Sequence, residues 1–167
     1  LKPLGDDPHL LVKLTTDPLE RRGNEKAGAD GMTVDSEGNL YVANFGDGKL
    51  HKIALDENGK MKSMEIIIND PEVLSCGDGI FCDLETDLIY VADSEKNAIH
   101  VVTPDGELTT LCQNGDTDGA GGALDQPCEP LIRGDKLIVA NFDMPFPGLI
   151  NTKFDPPYTL SVITLDK

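Results

Sequence analysis

The sequence contains no apolar run near the ~20 residues that a membrane-spanning helix needs. Leu1 to Asp7 holds no apolar segment of the signal-peptide kind. Positive charge is scarce: 14 Lys and Arg stand against 30 Asp and Glu, a formal net charge of −16. Such a surface repels nucleic acid and anionic lipid, which argues against both as partners. It suits a cation site or a neutral small substrate, although a merely solvated acidic surface gives the same count. No Cys-x-x-Cys pair occurs among Cys76, Cys82, Cys112 and Cys128, so a zinc knuckle or a thioredoxin-type redox pair is not expected. The even count permits disulfides Cys76–Cys82 and Cys112–Cys128; thiols buried as small apolar groups are the alternative. Localisation follows the same fork, extracellular or periplasmic if the cysteines are bonded and cytoplasmic if they are not. Helical periodicity of any length is also missing.

What remains is a chain of 167 residues, 39% hydrophobic and 26% charged, enough for one ordinary domain with a core. Its organising unit is Ala29 to Asn44: Asp30-Gly31, a short apolar run through Met32 and Val34, a turn at Ser36-Glu37-Gly38-Asn39, and a second run ending at Asn44. Lys49 to Ala54 and Met64 to Ile68 add two more strands. Cys76 to Leu111 repeats the scheme, with Asp78-Gly79 at the start and Asp93 at the end of the second strand. A looser third copy runs from Cys128, with Glu129-Pro130 in place of the acid-Gly pair and Asn141 closing the second strand. Asp30 to Asp78 is 48 residues and Asp78 to Glu129 is 51; Asn44, Asp93 and Asn141 are separated by 49 and 48. Four short strands at this period are the signature of a β-propeller blade. The expected fold is therefore all-β, with blades of four antiparallel strands at about 27–69, 75–111 and 127–165. His9 to Leu14 reads as one more strand, from a preceding blade, and Asp17 to Lys26 as a polar surface loop. Three blades do not close a ring, because propellers have ~4–8. A six-bladed ring, completed by a second copy or by further chain, is the expectation.

Blade topology places the acids. If Asp30 begins an innermost strand, the second strand returns Asn44 to the same face of the ring. The same holds for Asp78 with Asp93 and for Glu129 with Asn141. Asp30, Asp78 and Glu129 are thus candidate metal ligands around the channel mouth, and Asn44, Asp93 and Asn141 candidate substrate-face residues further out. Converging carboxylates suit a hard cation such as Ca²⁺. The plain alternative for each Asp-Gly is a turn, with Gly at positive φ. Asn114, Asp116, Asp118 and Asp125 fall at positions 1, 3, 5 and 12 of a loop with Gly119 at 6, close to an EF-hand spacing, and form a secondary Ca²⁺ candidate. A flexible Gly-rich connection is the other reading of that loop. Phe142 to Pro157 is a proline-rich insertion whose Phe142, Met144 and Phe146 offer a substrate wall or a packing surface. His9, His51 and His100 lie in strand patterns away from the predicted mouth.

Ala29-Asp30-Gly31-Met32, Asp35, Gly38, Leu40 to Ala43, Asp78-Gly79-Ile80 and Leu88 to Ser94 together resemble the family of gluconolactonase, senescence marker protein and luciferin-regenerating enzyme. The resemblance covers roughly Ala27 to Leu165. It implies a six-bladed propeller with a divalent cation on its axis, Ca²⁺ first and Zn²⁺ as the alternative, and hydrolysis of small sugar lactones. Asp30 matches the Asp of the family's D-G-M-like ligand motif, Asp78 falls where the family has Asp or Asn before Gly, and Glu129 sits in a related E-P start. The insertion after Asn141 departs from the family pattern, and the chain is about half of a family-sized one. The implied function is a metal-dependent lactonase in which Asp30 or Asp78 serves as general base. The competing class is a non-catalytic propeller that binds or scaffolds.

Overall fold

The computed structural model describes residues 9–15, 27–144 and 147–165. The expected loop from Asp17 to Lys26, like Leu1 to Asp7 and Phe146, lies outside the described residues. Two sheets have four strands in sequence order: β1 (Ala29–Val34), β2 (Leu40–Asn44), β3 (Leu50–Leu55) and β4 (Met61–Ile68), then β5 (Gly77–Asp83), β6 (Leu88–Asp93), β7 (Ala98–Val102) and β8 (Leu108–Gln113). Among the described residues the third sheet has three strands rather than four: β9 (Pro127–Arg133), β10 (Lys136–Asn141) and β11 (Leu160–Thr164). All neighbours within a sheet are antiparallel. The innermost strands stand side by side, β1 against β5 and β5 against β9, so the sheets are propeller blades arranged as an open arc.

Alternation along each strand builds the two layers that join the blades. In β6, Ile89 and Val91 point, with Ile80 of their own blade, into a core shared with Tyr41, Ala43 and Leu50 of the flanking blade. Its Tyr90 and Ala92 point the other way, into a core with Leu137, Val139 and Ile99. The central blade is covered on both faces, which is why Leu88 to Ala92 is a continuous apolar run and not an alternating one. Of the outer blades, the first has its second face overlaid by residues 9–15 and the third is covered, among the described residues, on one face only. Leu131, Ile138 and Val162 form one cross-strand row on the open face of the third blade, and Leu131 and Val162 are 52% and 58% exposed.

Residues 9–15 do not form the expected strand. They lie irregularly over the open face of the first blade, where Leu11, Val12 and Leu14 line a cavity with Met32, Val42 and Ile53. None of the four cysteines is disulfide-bonded. Cys76 immediately precedes the extended strand β5 and Cys82 is its next-to-last residue, so ~3.3 Å of rise per residue holds them far beyond disulfide reach. Cys112 belongs to the outermost strand of its blade and Cys128 to the innermost strand of the next. Cys76 and Cys82 serve instead as buried core groups.

Candidate functional site

Each innermost strand begins with a one-residue bulge. Ala29 pairs Asn44 and Met32 pairs Val42; Gly77 pairs Asp93 and Ile80 pairs Val91; Pro127 pairs Asn141 and Pro130 pairs Val139. The acids and the second-strand ends therefore share one end of every blade, as topology requires. The same register corrects one equivalence. Asp30 and Asp78 correspond to Cys128, and Glu129 stands where the other blades have Gly31 and Gly79. Nor are those glycines turn residues, since neither has positive φ. A Cβ on Gly31 would lie 2.3 Å from Asp78 O, and one on Gly79 would lie 2.3 Å from Cys128 O and 2.1 Å from Glu129 Oε2. Gly follows the acid because the next innermost strand packs directly on that position. No described blade follows the third, and there a full Glu side chain occupies the place.

The slip does not scatter the acids. Asp30, Asp78, Cys128 and Glu129 line one cavity of about 340 Å³, with Phe45 and Phe142 as apolar walls. Asp30 and Glu129 are exposed and Asp78 is half-buried. Burial pushes the Asp78 carboxyl up to about 7, and the charges of Asp30 and Glu129 act in the same direction against the lowering effect of a Ser94 hydrogen bond. Burial and the Asp30 charge also raise Glu129. Ser94 Oγ lies 2.7 Å from Asp78 Oδ2 and 2.8 Å from Pro127 O. A hydroxyl has one proton to give. If Ser94 donates to the Pro127 carbonyl, Asp78 completes the chain by donating to Ser94, which requires a protonated carboxyl. Cys128 Sγ donates to Ala140 O, and burial followed by the three acids pushes its thiol up to about 11. A thiol so held offers no thiolate to a soft metal. The donor set is hard oxygen, which fits Ca²⁺ better than Zn²⁺. Among the described residues no three His, Cys, Asp or Glu side chains stand close enough to grip one ion without adjustment.

No family model matches the chain, and no curated protein matches it by sequence. Solved structures do match. A gluconolactonase from Xanthomonas campestris aligns over 92% of this chain and 52% of its own, at TM-score 0.58 and 15% identity. A luciferin-regenerating enzyme aligns over 70% and 40%, at 0.54 and 16%. Regucalcin from Agrobacterium tumefaciens, a calcium-binding protein, aligns over 81% and 52%, at 0.53 and 18%. The fold is that of these propellers. The chain spans about half or less of the length of the structures it matches.

The second-strand ends, expected on the substrate face, act as fastenings, and Asn141 also lines an apolar pocket beside Cys128 and Phe142. Asn44 is fully buried; its Nδ2 donates to Thr15 O (2.8 Å) and its Oδ1 accepts from Gly46 N (2.9 Å). Asp93, also fully buried, accepts from Ser75 N (2.9 Å) and Lys96 N (3.0 Å). Asn141 accepts from Asp125 N (3.1 Å) and donates to Thr159 Oγ1 and Ser161 Oγ (2.8 and 3.0 Å). Each residue ties down the segment that enters its blade, and none lines the acid cavity. Sequence reasoning missed Ser94 and Asn97. Asn97 is fully buried and holds Gly115 O, Leu124 O and Gln126 N at 2.7, 3.0 and 3.0 Å. The available signal was an Asn ending the polar stretch Ser94-Glu95-Lys96-Asn97, which reads as a local turn residue, and the structure does hold it at positive φ.

The EF-hand-like spacing forms no common site. Asn114 Oδ1 accepts from Leu124 N (2.9 Å), Asp116 takes Thr152 N and Oγ1 (3.2 and 2.6 Å), and Asp118 caps Ala120 N (3.0 Å). Asp125 is turned inward, 1% exposed, toward the insertion. Phe142 and Met144 of that insertion join Phe154 and Tyr158 around an apolar pocket of about 380 Å³, which meets the acid cavity at Cys128 and Phe142. His51 and His100 are buried in β3 and β7 and do not line the cavity, in keeping with their strand positions.

Proposed function

We propose that the acid cavity holds a divalent cation and hydrolyses a small lactone. The observation that carries this reading is the convergence of Asp30, Asp78 and Glu129 on one cavity walled by Phe45 and Phe142. Its support is the shared fold with a gluconolactonase and with calcium-binding regucalcin. Asp30, Asp78 and Glu129 would hold the cation, with oxygen donors of the kind Ca²⁺ takes. When bound, such an ion supplies a Lewis acid for a ring carbonyl and a more acidic water. The chain supplies the rest. Asp30 faces the open cavity and accepts a proton from the attacking water as general base. Ser94 fixes the Asp78 carboxyl from behind, so its free oxygen is presented at a constant place. Phe45 and Phe142 restrict water and offer apolar contact to the substrate ring. Cation and proton compete for Asp78, so binding strengthens as pH rises.

The test is hydrolysis of gluconolactone under saturating Ca²⁺. Asp30→Asn, which keeps shape and removes the base, should lower turnover about 100-fold or more with the far-UV spectrum unchanged. Equal turnover in the variant removes Asp30 from the reaction. No turnover by the intact chain under any divalent cation favours the non-catalytic propeller.

A further inference from the structure

The connection between the second and third blades and the insertion after Asn141 meet in a buried compartment. Asp125, Asp143 and Asn151 are each at most 2% exposed there. Among the described residues, Asp125 Oδ2, Asp143 Oδ1 and Asn151 Oδ1 have no hydrogen-bond partner. Asn151 is hydrogen-bonded to Asp125, and Asp125 feels the Asp143 charge, so the three orphaned oxygens belong to neighbouring residues; this is exceptional, because buried acceptors are almost always satisfied. The surroundings hold them together. Asn151 Nδ2 donates to Asp125 Oδ1, and Asp155 N donates to Asp143 Oδ2 at 2.9 Å. Phe142 N donates to Gln126 O at 2.8 Å and Met144 N to Gln126 Oε1, which clamps Asp143 from both sides. Burial raises the Asp125 carboxyl to about 6, and the nearby charges of Asp143, Asp155 and Asp118 add to it. Two carboxylates and an amide oxygen make a site short of one divalent positive charge.

We propose that Asp125, Asp143 and Asn151 bind a hard divalent cation of the Ca²⁺ class, separate from the acid cavity. The ligands come from two irregular segments and include a neutral amide, which suits the flexible oxygen coordination of Ca²⁺ more than the strict octahedron of Mg²⁺. The ion neutralises the pair of buried carboxylates and staples the insertion to the interblade connection. Because Phe142 and Met144 flank Asp143, the staple also sets the wall between the acid cavity and the apolar pocket. Gln126 Nε2 also has no partner among the described residues, but it is a donor and lies outside the ligand set.

The experiment is equilibrium dialysis of the intact chain against radioactive Ca²⁺, with thermal melts in Ca²⁺ and in chelator. Asp143→Asn should bind one ion fewer than the unmodified chain, or bind it about tenfold or more weaker. It should also lose most of the Ca²⁺-induced rise in Tm. Asp30→Asn, in the other cavity, should keep this ion and this rise. If Asp143→Asn fails to fold, Asn151→Ser, which removes the amide oxygen and leaves both carboxylates, gives the same readout. Unchanged Ca²⁺ stoichiometry and an unchanged Tm rise in these variants overturn the proposal. So does an intact chain whose Ca²⁺ binding is wholly lost in Asp30→Asn, which would leave ordered water on the three oxygens.

Discussion

Asp78 and Ser94 form the part of the site with the clearest chemical state. When the Ser94 hydroxyl gives its one proton to the Pro127 carbonyl at 2.8 Å, the 2.7 Å contact with Asp78 Oδ2 needs a second proton, and Asp78 is the group that can carry it. The folded carboxyl titrates at about 7, above the ordinary 3.8. Between those values the native state binds more protons than the unfolded one, so stability falls as pH rises. Asp125, titrating at about 6, adds to the fall over the lower part of the window. In chelator, the chain should lose stability between about pH 4 and pH 7. Asp78→Asn mimics the protonated acid and can donate to Ser94 Oγ. It should gain about 2 to 4 kcal/mol over the unmodified chain at pH 8 and little at pH 4. Urea melts at the two pH values check this; a gain equal at both would place the proton elsewhere. Asn97 is the second residue to test. Asn97→Ala strands the buried Gln126 amide and removes one of the two bonds to the Leu124 carbonyl, and should lower stability by about 1 to 3 kcal/mol in the same melts.

At the scale of strands, the Asp-Gly pairs tie chemistry to packing. The acid faces the cavity and the glycine admits the neighbouring strand. Gly31→Ala would drive a methyl to 2.3 Å from Asp78 O, a backbone atom that cannot step aside. It should destabilise by about 1 to 3 kcal/mol. Gly59→Ala has open space around it and pays only for its φ of +73°, so it serves as the control. Blade period, strand order and the gathering of Asp30 with Asp78 were legible because alternation, turn residues and a fixed repeat all act locally. The third blade was misread by one residue. Its opening bulge is invisible to alternation, and Glu129-Pro130 imitates an acid-Gly start more closely than Cys128 does. Asn44, Asp93 and Asn141 were placed on the correct end of each blade. Their use was not legible, because an amide or carboxylate at a strand end serves equally as ligand or as fastening, and only the long-range partners Thr15, Ser75 and Asp125 decide between them. Asp143 and Asn151 left no local trace for the same reason.

As a whole, the molecule is an arc of three blades with an apolar row, Leu131, Ile138 and Val162, on its open face. Such a face invites another blade, whether from further chain or from a second copy. We expect the isolated 18.0 kDa chain to sediment as a dimer, and Val162→Glu to return it to a monomer. The same face separates the two accounts of the cavity, since an axial site draws on more of the ring than three blades provide. The most direct measurement is gluconolactone hydrolysis by the chain in its native association state, stripped with chelator and then titrated with Ca²⁺. The account predicts no turnover after stripping, recovery on titration, and no recovery in Asp30→Asn. Turnover that persists in chelator, or that never appears under saturating Ca²⁺, would contradict it.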